Sequence, residues 1–384
     1  MNQESAASSF PGPLFPVASS NAVIVIMAGG AGERFWPVSN RETPKQLLRL
    51  HGDQTMLETA FNRAAKIVDR DRVYIVAGEQ LREAIFHTLP NLKSGNYIGE
   101  PFARNTAACL GLAACVIEAA HGPQTVMGIL TADHVIDEGA EFFGAISAAM
   151  NHAGERDQLV TIGIKPTEPD TAFGYLELGK QTAGDASTPI HRVRRFREKP
   201  NLETAEQMLA QGNFLWNSGM FFWRADTLFK AFEAHEPEMA EQWSRLRKSS
   251  LPYPVELVKE VFDSFPSLAI DIAIMERASN VVAVVGSFGW QDVGSWDALP
   301  RLHATDEAGN CRIGPSVLLD SRNNIIYNDV ASSGAVAQEI VLHGIEDLVI
   351  VRTEKAIMIT PKSRAQKVKE IVRYLAKAKR DDLV

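Results

Sequence analysis

The segment that most limits the fold is residues 22–46, AVIVIMAGGAGERFWPVSNRETPKQ. Its opening run, Ala22 to Ala28, is short, apolar and partly β-branched, and glycines follow directly. That is the pattern of a strand buried on both faces. Gly29, Gly30 and Gly32 come next, so the backbone can turn sharply and direct several N–H groups into one small volume. An anion fits there, a polyphosphate above all. Arg34 and Lys45 add two cations to the same segment, the first a fork of donors and the second a movable point charge. Two familiar phosphate loops are excluded by spacing. A Gly-x4-Gly-Lys-Ser/Thr loop needs a glycine where Arg34 stands, and a Gly-x-Gly-x-x-Gly turn needs one where Phe35 stands.

Downstream, the apolar spacing alternates between two periods. Met56 to Val68 reads as helix, Arg72 to Ala77 as strand, Gln80 to Leu89 as helix, Asn96 to Ile98 as strand, Arg104 to His121 as helix and Thr125 to Leu130 as strand. This rhythm predicts an α/β sheet covered on both faces. Ligands of such sheets bind outside the carboxyl ends of the strands, where the glycine loop sits. Asp133 stands at another such end, in Leu130-Thr131-Ala132-Asp133-His134. A carboxylate there suits Mg2+, which takes one or two carboxylates and completes its shell with phosphate oxygens. An Asx-turn or helix cap is the alternative use of Asp133, and helix capping is the alternative use of Asn105 and Thr106.

With 384 residues the chain can hold one large domain and a smaller one. A net charge of −8 argues against a general nucleic-acid-binding surface but is compatible with a nucleotide held by local cations. Cys109, Cys115 and Cys311 lack metal or redox spacing, which fits reduced thiols in a cytoplasmic protein. Residues 1–20, rich in Ser, Pro and Ala with no basic start, read as a flexible leader rather than a signal peptide. No apolar run approaches the ~20 residues of a membrane span.

GGAGERFWP followed by TPKQ resembles the N-terminal signature of the sugar-nucleotide pyrophosphorylases, a nucleotidyltransferase family. Phe35-Trp36-Pro37 and Lys45-Gln46-Leu47 are most similar to its guanylyltransferases, which act on mannose 1-phosphate, and the resemblance runs over residues 22 to 375. It implies a Rossmann-like, GT-A-like α/β domain over residues 21–305, with a mixed, mostly parallel sheet and helices on both faces. A small left-handed β-helix-like tail and a C-terminal helix would occupy 306–384, with homodimer contacts through that tail. The end of the chain at Val384 would leave no room for the cupin-like isomerase domain of long bifunctional relatives.

The resemblance also implies roles. Ala28, Gly29, Gly30, Gly32, Glu33 and Arg34 would bind the nucleotide phosphates. Glu100, Arg104, Asn105 and Thr106, from GEPFARNTA, would lie along base and ribose. Asp133 and Asp292 would hold Mg2+. Gly174 and Tyr175 (with Glu177), Glu198 and Lys199, Asn217 and Asp292 would line the sugar side. Asp271 and Glu276 would either join them or sit on a solvated helix face. Arg34, Lys45 and Lys199 would be the catalytic cations. Arg197 departs from the family's apolar residue, which implies a more exposed strand edge, and the arginines of Ile190 to Lys199 read as a solvated face. Ser363 to Lys379 reads as an amphipathic helix, basic on one face, resting on the tail. The implied reaction joins GTP to mannose 1-phosphate and releases pyrophosphate. The alternatives are the same chemistry with another triphosphate and sugar 1-phosphate, or a catalytically silent homologue that senses nucleotide sugars.

Overall fold

A computed structural model of the chain describes residues 14–15, 21–30, 32–329 and 338–383. Of the expected leader, only Leu14 and Phe15 lie among these. Phe15 is docked: its N–H donates to the Lys66 carbonyl at 2.9 Å and its ring stacks on Phe143 with centroids 4.1 Å apart.

Strands β1 (Ala22–Met27), β2 (Val73–Gly78), β3 (Tyr97–Glu100) and β4 (Val126–Thr131) run parallel in the order β3-β2-β1-β4. β5 (His134–Ile136) leaves this sheet. It continues through β6 (Leu159–Ile164), β7 (Tyr175–Ala183), β8 (Ile190–Arg197), β9 (Phe214–Arg224) and β10 (Val281–Gly286), in the order β4-β9-β6-β10-β8-β7. The result is a nine-stranded mixed sheet. Its parallel character lies in the half that carries the glycine loop and in β6–β10, while β9 is antiparallel to β4 and β6.

The two-residue period of β1 divides the core. Ile24 and Ile26 join one apolar layer, while Val23 and Val25 join the other. Helices α1 (Met56–Ala64), α2 (Arg82–Thr88), α4 (Ala140–Glu155) and α5 (Leu202–Gln211) cover the first face. Helices α3 (Asn105–His121), α6 (Ala225–His235), α7 (Pro237–Arg247) and α8 (Val255–Asp263) cover the second. A capping box starts α1: Thr55 Oγ1 accepts from the Glu58 N–H at 3.1 Å, and Glu58 Oε2 accepts from the Thr55 N–H at 2.7 Å. From α1, the buried Arg63 donates to Glu138 Oε1 at 3.0 Å and so anchors the turn after β5.

The rest of the chain folds against the sheet's loop edge. β11 (Trp290–Asp292) pairs antiparallel with β5. β12 (Cys311–Ile313), β14 (Ile325–Asn328) and β16 (Leu348–Arg352) then stack in parallel, as do β13 (Ser316–Leu319) and β15 (Ile340–His343). β17 (Ile357–Pro361) closes the first stack antiparallel. Register is held by buried asparagines: Asn310 Oδ1 accepts from Asn324 N–H at 3.0 Å, and Asn324 Oδ1 accepts from Leu348 N–H at 3.0 Å. The expected C-terminal helix winds tightly over Lys362–Lys367 and becomes α9 at Val368–Lys377.

This tail is not a separate body. Phe35 and Trp36 after the glycine loop, Val293 and Trp296 after β11, and Cys311, Val349, Ala365 and Val368 of the tail share one buried apolar cluster. The basic C-terminal helix therefore packs on the sheet's loop edge as well as on the tail. Among the described residues no helix is long and apolar enough to cross a membrane, and Cys109, Cys115 and Cys311 are buried free thiols.

Candidate active site

At the carboxyl ends of β1 and β4 lies a cavity of about 430 Å³, lined by Gly29, Gly30, Gly32, Glu33, Arg34, Lys45, Asp133 and Asp292 among others. Gly30 and Gly32 have φ of 99° and 60°, conformations that glycine adopts readily. Arg34 Nε is buried and has no hydrogen-bond partner among the described residues, so the loop's own cation lacks an acceptor. Ala28 contributes differently from the expectation. It is fully buried, its N–H donates to the Val76 carbonyl at 2.9 Å, and its carbonyl accepts from Gln46 Nε2 at 2.5 Å. Its backbone groups thus fix the loop to β2 and to the Lys45 segment.

The β5–β11 ladder sets Asp292 opposite His134, directly beside Asp133. One ligand atom each of Asp133, His134 and Asp292 lie within 4.8 Å of one another. Lys45 Nζ is 2.8 Å from Asp133 Oδ2 and 3.9 Å from Asp292 Oδ1. Burial disfavours the Asp133 carboxylate, but the Lys45 ammonium paired with it outweighs this and holds the group below the usual carboxylate range. Asp292, partly desolvated and facing the Asp133 charge, is pushed above that range. His134 Nδ1 accepts from Trp290 Nε1 at 3.2 Å, and burial keeps the ring neutral. The proton then sits on Nε2, and neither ring nitrogen is free to ligate. Two hard carboxylate oxygens remain, a donor set that fits Mg2+ with phosphate oxygens filling the shell.

Glu100 is buried at the end of β3, with Oε2 3.7 Å from where a Cβ on Gly29 would stand. Burial pushes its carboxyl up to about 7. The neighbours expected beside the base are engaged in packing. Arg104 Nε donates to the Phe262 carbonyl at 3.0 Å, and Thr106 Oγ1 accepts from the Ile270 N–H at 2.8 Å. Asn105, at φ 66°, opens α3 and accepts the Thr106 N–H on its own Oδ1 at 2.8 Å. Asn105 thus bonds within the first turn of α3, Thr106 ties that turn to Ile270, and neither lines the glycine-loop cavity.

A second polar cluster gathers around β8 and β9. Asn217 Oδ1 accepts from Thr161 Oγ1 at 3.0 Å, and its Nδ2 donates to Asp271 Oδ1 at 3.0 Å. Burial and the neighbouring Glu198 charge push Asp271 up to about 7. Glu276 Oε1 accepts from the Glu198 N–H at 3.0 Å, so both residues left open by sequence face this cluster. A Cβ on Gly174 would overlap Glu198 Oε2, so the glycine admits that carboxylate. Lys199, at φ 44°, pairs with Glu198 at 2.8 Å and does not line the glycine-loop cavity. Tyr175 is buried, with its hydroxyl donating to the Asp170 carbonyl at 2.9 Å. Arg197 is exposed, as its departure implied. Register shifts between β7 and β8 break the simple alternation, and Arg195 is paired with Glu177 at 3.0 Å rather than solvated alone.

Residues 23–309 match the family described as nucleotidyl transferase, and residues 314–375 match a MannoseP isomerase/GMP-like beta-helix domain. With an anion loop facing a carboxylate pair at the sheet edge, this makes the chain a nucleotidyltransferase. It is 36% identical over 365 residues to a mannose-1-phosphate guanylyltransferase of Escherichia coli (strain K12), covering 94% of this chain and 74% of that protein. To the xanthan biosynthesis protein XanB of Xanthomonas campestris pv. campestris (strain B100) it is 35% identical over 369 residues, covering 94% and 75%. A crystal structure from Thermus thermophilus, named a mannose-1-phosphate geranyltransferase, matches with a TM-score of 0.79 at 29% identity, covering 93% of this chain and 99% of that one. The chain belongs to the mannose-1-phosphate guanylyltransferase family and acts on a sugar phosphate and a nucleotide.

Proposed function

We propose that the chain transfers the guanylyl group of GTP to α-D-mannose 1-phosphate, giving GDP-mannose and pyrophosphate. The observation that carries this reading is the meeting of Lys45, Asp133 and Asp292, from three distant stretches, at the mouth of the glycine loop. The backbone of Gly29, Gly30 and Gly32, with Arg34, binds the β- and γ-phosphates. Lys45 offsets charge at the α-phosphate, and Lys199 meets the sugar phosphate. Glu198, Asn217 and Asp271 receive the sugar hydroxyls, and the Glu100 carboxylate accepts from the guanine N–H edge.

Asp133 and Asp292 would hold Mg2+, which when bound neutralises phosphate charge and polarises the phosphorus–oxygen bonds. An oxygen of the sugar 1-phosphate bonds to the α-phosphorus as the bond from that phosphorus to the bridging oxygen breaks, and pyrophosphate leaves with that oxygen. The nucleophile is already anionic, so no general base is required. Catalysis is positioning and charge stabilisation.

The test is pyrophosphate release in Mg2+, crossing GTP, ATP, UTP and dTTP with mannose, glucose and fucose 1-phosphates. Preference for GTP with mannose 1-phosphate is expected. A different preferred pair would move the specificity while keeping the chemistry. No release from any pair, with tight nucleotide-sugar binding, would replace the enzyme by a sensor.

A further inference from the structure

The phosphate cavity has a wall that comes from the tail. Lys369, the second residue of α9, lines it together with Gly29, Gly32 and Arg34. Lys369 is half-buried and makes no ion pair among the described residues. Lys45 differs in this respect, because its charge already faces the carboxylates of Asp133 and Asp292. A polyphosphate brings several negative charges into a volume where one of the cations is thus committed. Arg34 and Lys369 are the lining cations that form no ion pair among the described residues, although the Arg34 charge reaches Asp292.

The position of Lys369 is fixed from two sides. Its neighbour Val368 is 2% exposed, packed in the cluster that holds Phe35, Trp36, Val293 and Trp296. One turn earlier, Gln366 Nε2 donates to Ser295 Oγ at 2.6 Å, three residues beyond Asp292. At the far end, Trp36 Nε1, two residues beyond Arg34, donates to the Leu383 carbonyl at 2.7 Å. The helix is therefore tied to the loop of Arg34 and to the turn after Asp292. A lysine on such a braced helix keeps its ammonium near the cavity at reduced entropic cost.

We propose that Lys369 is a phosphate-binding residue delivered by the tail, which grips the pyrophosphate portion of the bound triphosphate beside Arg34. This rests on the reading of the cavity as a polyphosphate site. It gives the β-helix tail a part in the chemistry, since the helix it supports supplies a cation to the leaving group.

The experiment compares the full chain with Lys369→Met and Lys369→Arg. Inorganic pyrophosphate is titrated calorimetrically in Mg2+, and kinetics are followed in both directions. Lys369→Met is expected to weaken pyrophosphate binding roughly tenfold or more, the scale of one charge-assisted contact. The KM for pyrophosphate in the reverse reaction and for the triphosphate in the forward reaction should rise with it. The KM for the sugar 1-phosphate and the thermal midpoint should stay unchanged, and Lys369→Arg should recover most of the loss. Unchanged pyrophosphate affinity in Lys369→Met overturns the inference. So does a loss that includes sugar affinity and stability. Because pyrophosphate carries neither base nor sugar, a parent chain that prefers other substrates leaves this test intact, whereas a parent that binds no pyrophosphate overturns both readings.

Discussion

Lys45 Nζ stands 2.8 Å from Asp133 Oδ2 and 3.9 Å from Asp292 Oδ1, one ammonium shared by two carboxylates that the β5–β11 ladder brings together. Removal of either carboxylate unbalances the pair and deletes half of the oxygen donor set. Asp133→Ala and Asp292→Ala are each expected to cut turnover by roughly 10²-fold or more, the scale of a lost electrostatic contact to a reacting group. Circular dichroism should show the fold intact, since both side chains border a cavity. Pyrophosphate release over a Mg2+ titration checks this, and near-normal rates in both variants would remove the metal assignment.

Gly32 and Lys45 make a second close pair. A Cβ on Gly32 would overlap Lys45 Cβ and stand 2.9 Å from the Lys45 backbone nitrogen, at a φ of 60°. Gly32→Ala must therefore displace the Lys45 segment, and the backbone strain adds about 1–3 kcal/mol. Urea unfolding should report a loss of at least that size, together with a raised KM for the triphosphate. Gly95→Ala, at a site with nothing within 4 Å, is the control and should stay within about 0.5 kcal/mol of the parent. Equal stability of the two variants would show that the close approach is relieved at no cost.

Glu100 gives a pH dependence with a definite sign. Its carboxyl is pushed by burial from 4.5 up to about 7. Between those values the folded chain holds a proton that the unfolded chain has released, so this contribution is full below about pH 4.5 and lost as pH rises through 7. The shift corresponds to about 3 kcal/mol. Glu100→Gln should remove this slope and make the unliganded chain more stable than the parent at pH 8. The two should converge near pH 4, and on the proposed contact of Glu100 with the base the KM for GTP should rise, because an amide cannot replace a carboxylate as acceptor. Denaturant melts from pH 4 to 8 measure the slope; parallel curves would mean that the Glu100 carboxyl titrates alike in the folded and unfolded chains.

What could be read ahead of the fold follows from how local each feature is. β1, its glycine loop and Asp133 are legible because strand, turn and strand-end carboxylate are contiguous, and each carries its own pattern. Asp292 is legible only by resemblance, since β11 is a three-residue strand that exists because it pairs with β5. Asp271 lies in a turn of π-helix whose orientation depends on its packing against β9, so periodicity could not separate pocket from surface. Asn105 and Thr106 show the converse: their residue types suit a cap, but no side chain caps α3, and Thr106 Oγ1 instead accepts from the Ile270 N–H, a pairing that no local pattern shows. For Lys369 the basic face of the helix was visible, but nothing local relates residue 369 to residue 29. The shared apolar cluster that joins them is a tertiary fact.

Asp271 carries the most specific expectation for the sugar side. Its carboxyl accepts from Asn217 Nδ2 at 3.0 Å and faces Glu198, with Lys199 and Glu276 at the same strand end. Burial first, and the Glu198 charge second, push it up to about 7, so near neutrality it is partly protonated. Sugar hydroxyls donating to this group bind its ionised form, and the KM for the sugar 1-phosphate should fall as pH rises through 7. The substrate's own phosphate ionises in a similar range, but that contribution is common to all variants. Asp271→Asn cannot ionise and should lose the part of the pH dependence that belongs to the enzyme. Its KM for the sugar phosphate should rise about tenfold at pH 8, with the KM for GTP unchanged, as expected for one lost hydrogen bond to a charged group. Parallel pH profiles for parent and variant would place the titration elsewhere and leave Asp271 as an orienting partner of Asn217.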